Sequence, residues 1–372
     1  MLMDREALLI LNAIPGLTAR RIRLLMQHFG GASRILHANR NDLSACGILP
    51  NPCMERLLTF DRDHFLQTET HLAAKQKIQI ISFQDKEYPR SLSEIGDAPV
   101  VLYVKGSLDT WNELALAFVG SRRASMYGTQ VAQDLAGRLS EMGFSIISGL
   151  ARGIDTAAHR GCLRSGSKTY AVMGCGLNHI YPAENAKLLA EIATNGAVLS
   201  EFTMNTPPQA QNFPQRNRII SGLSLGVVVV EAGRHSGALI TSRFALEQGR
   251  EVFAVPGHIH DPNTCGTHRL IQQGAKLITC VEDILDEIQP VLVRHPLLMS
   301  AGKEGCPSDF RPDSLPESGD EAFVLNALRR PLGMDDLVCR IGKSSADLLR
   351  LLLALEMRHK IRRLPGMLFE RI

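Results

Sequence analysis

The chain has 372 residues, more than a single hydrophobic core usually holds, so two or three domains is the starting expectation. Apolar residues make up 45% and charged residues 21%, a balance that speaks against wholesale disorder, collagen-like repeats and coiled coil. Lys and Arg number 41 against 38 Asp and Glu, and a net +3 is too small to mark a nucleic-acid binder by charge alone, because binding follows where cations cluster.

The start, MLMDREALLILNAIPG, lacks a basic region and a small-residue cleavage site, so it does not read as a signal peptide. Residues 1–76 read as short helices and form a helical SAM/HhH-like domain, with apolar positions at Leu8, Leu9 and Leu11 and again at Ile22, Leu25 and Phe29. Breaks fall at Pro15-Gly16 and Gly30-Gly31. The stretch IPGLTARRIRLLMQHFG has the cadence of helix, tight turn and helix. Such a unit can present turn amides and Arg20, Arg21 and Arg23 to a phosphate backbone, or it can be a solvated basic face.

From residue 77 the pattern changes to strand-length apolar runs: KIQIISF, PVVLYVKG, ALAFVG, FSIISG, KTYAVMG, AVLSEF, GVVVVEAG, EVFAVPG and AKLIT. Helical stretches are expected at 125–142, 153–165, 183–195, 237–248, 265–273 and 281–288. Residues 77–289 therefore predict an α/β fold, an extended Rossmann-like, doubly wound and mostly parallel sheet. Residues 290–318, with prolines at 290, 296, 307, 312 and 316, read as a linker. Residues 319–372 outline three helices and a two-stranded hairpin, a winged-helix domain.

Ligands of open α/β sheets bind where strands end and helices begin. Strand ALAFV runs into Gly120, Ser121, Arg122 and Arg123 just before a helix, which places amides, a hydroxyl and guanidinium groups at a helix start, an anion site in outline. Strand FSIIS runs into Gly149, Arg152, Gly153 and then Asp155, a residue able to cap the next helix. These two junctions, joined by Gly174-Cys-Gly176, Glu231-Ala-Gly233 and Ser236-Gly237, predict a phosphate-facing rim. Phe213, Arg216, Asn217 and Arg218 add cations before the most apolar strand. At i and i+2 the two arginines must diverge on a helix, one free to grip a ligand while the other braces the fold.

Several catalytic motifs fail on context. Gly222-Leu-Ser224-Leu-Gly226 is followed by a strand where a nucleophile elbow needs a helix. Gly161 with Gly166-Ser-Lys168 displaces the P-loop lysine by one, and Gly342-Lys343-Ser344 has Leu337 where the leading glycine belongs. Gly174-Cys-Gly176-Leu-Asn-His179 has histidine where the dinucleotide fingerprint needs its third glycine. His258, His260 and Asp261 lack a further well-placed ligand, and the eight cysteines contain no C-x-x-C pair, so neither metal nor cofactor is expected. Scattered cysteines and the lack of a roughly 20-residue apolar run fit a cytoplasmic protein with no membrane partner. Glu231, closing the strand VVVV, fits a general base or a capping or salt-bridging group, which sequence does not separate.

Together FVGSR, SGLARGIDTAAH, AVMGCGLNHIYPAEN, LSEF, FPQRNRIISGLS, VVVVEAGRHSGALITSRFALEQGREVFAVPG and GTHRLIQQGA strongly resemble the DprA family, also called Smf, over roughly residues 80 to 285. The resemblance implies a single-stranded DNA binding protein of natural transformation, not an enzyme, that protects incoming DNA and loads the recombinase RecA. It implies a homodimer formed through the Rossmann-like domain and a positively charged DNA pocket near Arg122. Many relatives carry lysine directly after the Tyr-Pro pair. Here Tyr181-Pro182 is followed by Ala183, with Lys187 the nearest cation. Tyr181 and Phe213 fit base stacking or the core, Phe213 rather more the core. In the winged helix, Arg358, Lys360, Arg362 and Arg363 fit contact with duplex DNA, or the module serves a protein partner instead. A competing reading is a nucleotide-metabolising enzyme like the lysine-decarboxylase-like phosphoribohydrolases. Their P-G-G-x-G-T signature is replaced here by E-A-G-R-H-S-G.

Overall fold

Six helices open the chain: α1 (Asp4–Ala13), α2 (Ala19–Phe29), α3 (Ala32–His37), α4 (Arg40–Ala45), α5 (Asn51–Thr59) and α6 (Arg62–Lys75). Their ends are written in the sequence. Thr18, Asn39 and Asp61 accept backbone amides as N-caps of α2, α4 and α6, and Gly30 ends α2 in the left-handed conformation that favours glycine. Their apolar faces share one core with Val101, Tyr103, Val198 and Met204 of the sheet domain. Glu69 on α6 ties this junction, accepting from the Tyr103 hydroxyl at 2.6 Å and the Met204 amide at 2.7 Å.

The basic hairpin departs from its expected outward display. Arg23 turns inward to the Ala98 carbonyl at 3.1 Å and lies over the Phe83 ring, while Arg21 donates to the Gly16 carbonyl at 2.8 Å. Both guanidinium groups are taken up by backbone acceptors of the fold, which leaves Arg20 as the exposed member.

The structure is a computed structural model that describes residues 4–108, 111, 113–294, 324–328, 332–342, 345–357, 360–364 and 368–371. Nine strands follow the helices: β1 (Ile78–Ser82), β2 (Val101–Gly106), β3 (Ala115–Val119), β4 (Ser145–Ser148), β5 (Thr169–Val172), β6 (Ala197–Ser200), β7 (Gly226–Val229), β8 (Glu251–Ala254) and β9 (Lys276–Leu277). They lie in the order β1-β2-β6-β5-β4-β3-β7-β8-β9. From β6 to β9 every pairing is parallel, and β3 through β7 are buried along their whole length, as strands covered on both faces require. Strand β2 alone runs against both of its neighbours.

The crossovers are α8 (Met126–Glu141), α9 (Ile154–Arg164), α10 (Ala186–Asn195), α11 (Asn212–Gly222), α12 (Ala238–Glu247) and α13 (Cys265–Gln272), with the short α7 (Arg90–Ser93) between β1 and β2 and α14 (Val281–Arg294) closing the domain. Helices α8 and α9 pack at glycine contact, since a Cβ at Gly161 would run into the Gln133 backbone. Helix α14 continues through Pro290, where the sequence reading placed the start of a linker. The buried stripe Val281, Ile284, Leu285 and Ile288 anchors the helix against the loss of one backbone bond. The rest of that linker, 295–318, and the first residues assigned to the winged helix, 319–323, lie outside the described residues.

The winged helix is present: helices Met334–Ile341 and Ser345–Met357 and strands β10 (Leu332–Gly333), β11 (Ile361–Leu364) and β12 (Leu368–Arg371), around a core that includes Leu325, Leu337, Leu352 and Phe369. Strand β10 makes the sheet three-stranded. Arg362 pairs with Glu370 at 2.9 Å, and Arg358 lies outside the described residues. Among the described residues no helix is long and apolar enough to cross a membrane.

Candidate nucleic-acid interface

The winding of the sheet fixes where a site can form. From β3 the chain steps through β4 and β5 to β6, then returns to lay β7 on the other flank of β3 and continues to β8 and β9. Adjacent crossovers thus depart in opposite directions beyond the carboxyl ends of β3 and β7, and the switch point opens a crevice there. A cleft of about 770 Å³ occupies it, walled by Gly120–Arg123 after β3, Gly233 and His235–Ala238 after β7, Pro208, Ala210 and α11. A smaller pocket of about 180 Å³ adjoins it between Arg122, Gly149, Arg152, Tyr181, Phe213 and Arg216.

Arg122 is exposed at the mouth, its guanidinium carbon 5.2 Å from the centre of the Phe213 ring. The Tyr181 ring lies 5.4 Å beyond, 40% exposed. Phe213 is half-buried and lines both cavities, so it is a wall of the cleft and not the core residue the sequence favoured. Gly174 makes room for it, since a Cβ there would stand 2.7 Å from the ring. A cation beside two accessible aromatic faces combines the groups that hold a phosphate and an unpaired base.

Arg216 is 3% exposed yet lines both cavities. It donates to the Val172 carbonyl, lies beneath Gly149 and leaves Nε without a partner. Burial pushes its guanidinium down to about 10, with Asp155 opposing and Arg122 reinforcing that shift, so it remains a cation at neutral pH. Gly149 is required by this approach, because any Cβ would displace the guanidinium. Gly153, at φ 74°, lets the loop pass the Ser121 carbonyl.

The start of α8, expected to receive an anion, is already capped from within. Glu231 accepts from the Ser125 hydroxyl and, at 3.0 Å, from the Ser125 amide, while Ser125 caps α8. Of the roles left open by sequence, Glu231 is nearest to the capping one, holding the cap residue Ser125 in place. Asp155 bonds backwards to the amides of Gly149 at 3.1 Å and Ala151 at 3.2 Å and does not cap α9; burial raises its carboxyl against the pull of Arg216.

The remaining predicted residues divide. Ser121 and Arg123 line the cleft, as does Asn217, which donates to the Gly237 carbonyl at 3.4 Å. Arg152 borders the smaller pocket but pairs with Glu184. Lys187 sits exposed on α10 outside both linings. Arg218 must be corrected: it is sealed at 5% exposure between Glu201, at 2.5 Å, and Asp97, at 3.2 Å, because the i+2 spacing turns it away from the cleft. The sequence did not point to His235, Ile240, Thr241, Pro208, Ala210 or Asn263. Only His235 carried a signal, lying inside the E-A-G-R-H-S-G run, and its relevance depended on β7 being the neighbour of β3.

Ser224, centre of the rejected elbow motif, is buried and donates to the Ser221 carbonyl at 3.0 Å. The rings of His258 and His260 lie 5.6 Å apart, and among the described residues no group of three His, Cys, Asp or Glu side chains is placed to hold a metal.

A family model described as DNA recombination-mediator protein A matches residues 79–289, more than half of the chain. The chain belongs to this family. A DprA winged helix domain model matches residues 308–367. Protein Smf of Escherichia coli is 39% identical over 318 residues, 84% of this chain and 82% of that protein. DNA processing protein DprA of Streptococcus pneumoniae is 42% identical over 278 residues, 74% and 95% of the two chains. Among solved structures of the family, DprA of Streptococcus pneumoniae matches with a TM-score of 0.66 at 40% identity, covering 77% of this chain and 98% of that one. DNA processing protein A of Helicobacter pylori, whose structure was described for its single-stranded DNA binding mode, matches with a TM-score of 0.52 at 29% identity, covering 57% and 97%.

Proposed function

We propose that this family member binds single-stranded DNA in the switch-point cleft and acts without catalysis, protecting incoming strands and delivering them to RecA during transformation or homologous recombination. The observation that carries the reading is the Arg122 guanidinium set against the Phe213 ring, with Tyr181 behind it, in an open cationic cleft. The Helicobacter pylori relative, described for the same class of ligand, supports it. The competing phosphoribohydrolase reading loses its best acid, since both Glu231 oxygens are engaged by Ser125.

The proposed partners are single-stranded DNA, RecA and a second copy of the chain. Strand β9 supports the dimer as a two-residue edge of the sheet, with Leu277 42% exposed. The winged helix is assigned to duplex DNA or a protein partner, and the protein to the cytoplasm. Fluorescence anisotropy with a labelled single strand and the matched duplex, at two salt concentrations, tests the reading. Tight, salt-sensitive, single-strand-preferring binding that weakens in Arg122→Ala is expected. An indifferent variant would remove the cleft from the account.

A further inference from the structure

The smaller pocket is lined by four guanidinium groups, Arg122, Arg123, Arg152 and Arg216, and among its described lining residues there is no carboxylate. Arg216 is braced by the Val172 carbonyl, and Arg122 lies against the Phe213 ring. Among the described residues, Arg152 is the one of the four with a carboxylate at salt-bridge distance. Its Nε–H donates to Glu184, which stands outside the lining. Both side chains of the pair are exposed, 65% for Arg152 and 49% for Glu184. An exposed ion pair contributes little net stability and is open to exchange with other anions.

The wall of the pocket has a separate fastening. Glu184 sits in the short turn Ala183–Asn185, directly after Tyr181-Pro182 of the lining. The next residue, Asn185, is 5% exposed and donates to the Leu150 carbonyl in the loop after β4 and to the Thr156 hydroxyl on α9, both at 2.9 Å. Leu150 adopts φ 57°, a left-handed conformation uncommon outside glycine, and the Asn185 bond holds the turn to that loop without the ion pair. Glu184 thus neither lines the pocket nor fastens its wall, yet it occupies one of the pocket's arginines. A phosphate reaching Arg152 has to displace this carboxylate.

We propose that Glu184 is a built-in competitor for phosphate, holding Arg152 until a strand phosphate takes the guanidinium in its place, and so limits the affinity of the smaller pocket. This rests on the cleft and its adjoining pocket being the single-strand site. One ion pair is broken as another forms, so Arg152 adds little net affinity while Glu184 carries its charge.

The test uses the full chain and a labelled single strand in fluorescence anisotropy, with Glu184→Gln, Arg152→Ala, the double variant and Arg122→Ala measured together. Glutamine keeps the shape and an oxygen that accepts from Arg152, but removes the charge that strengthens the bond, so Tm should stay at the wild-type value. Glu184→Gln is expected to bind at least threefold tighter. Arg152→Ala should weaken the wild type no more than twofold and the Glu184→Gln background at least threefold, so that the double variant binds like Arg152→Ala. Unchanged or weaker binding in Glu184→Gln would overturn the exchange. A gain that persists in the double variant would also overturn it, because Glu184 would then repel the strand without acting through Arg152. If Arg122→Ala weakens binding while Glu184→Gln is indifferent, the exchange alone falls; if neither moves the affinity, the single-strand reading of the cleft falls with it.

Discussion

Two arginines on α11, two residues apart and almost equally buried, do opposite work. Arg218 is enclosed by Glu201 and Asp97, and its charge is spent on holding α11 against β6 and the segment after α7. Arg216 has one buried acid nearby, an unpartnered Nε and a cavity in front of it. Burial alone does not mark a residue as structural. What separates the two is charge pairing: Arg218 meets two carboxylates at salt-bridge distance, and Arg216 meets none among the described residues.

The largest effect should come from the closed pair. Arg218→Ala leaves Glu201 buried without its partner and should cost roughly 3 to 5 kcal/mol of stability, read by denaturant unfolding. Unfolding no easier than that of the wild type would erase the distinction between the nodes. Phe213→Ala in the open node should weaken single-strand binding by about 1 to 3 kcal/mol, and Phe213→Trp should keep most of the affinity, measured by anisotropy. If both substitutions act alike, the ring packs and does not stack. Arg122→Ala, at an exposed position, should lower affinity about tenfold, about 1.4 kcal/mol, reduce the salt slope by about one and leave Tm unchanged.

The smallest effect concerns Glu69, a third buried acid, whose carboxyl is raised chiefly by burial, against hydrogen bonds from Tyr103 and Met204. The folded state then holds its proton more tightly than the unfolded chain does, so this group's contribution is fully present below about pH 4.3 and is lost as pH rises through the folded value. Glu69→Gln keeps an oxygen able to accept both bonds and carries no charge. It should flatten that decline, with Tm nearer the wild type at acidic pH and above it at neutral pH. A parallel Tm profile would mean that folding leaves the proton affinity of Glu69 unchanged.

Strand positions were legible because apolar runs with glycine punctuation carry them, and the crossover helices followed from spacing. Strand order was not, since β7 returning to the flank of β3 is decided by packing across more than 100 residues. That one neighbour relation makes the cleft. It explains why Arg122, Ser121 and Asn217 were visible from local sequence, whereas Asn263, Ile240 and Ala210 were not. Arg218 was misplaced for a related reason: its partners Asp97 and Glu201 come from other elements of the fold, and a cation looks the same on paper whether or not it has been answered.

The shared core beneath α1–α6 bears on how such a protein can be divided. Leu8, Leu11 and Ile22 are buried in the same cluster as Val101, Tyr103 and Val198, and the Asn12 side chain reaches the Glu201 carbonyl at 2.8 Å. The opening helices are therefore the outer layer of the sheet and not a tethered reading head. Cleaving the chain after residue 76 would strip the covering from one face of the sheet, and the two halves should melt in a single transition.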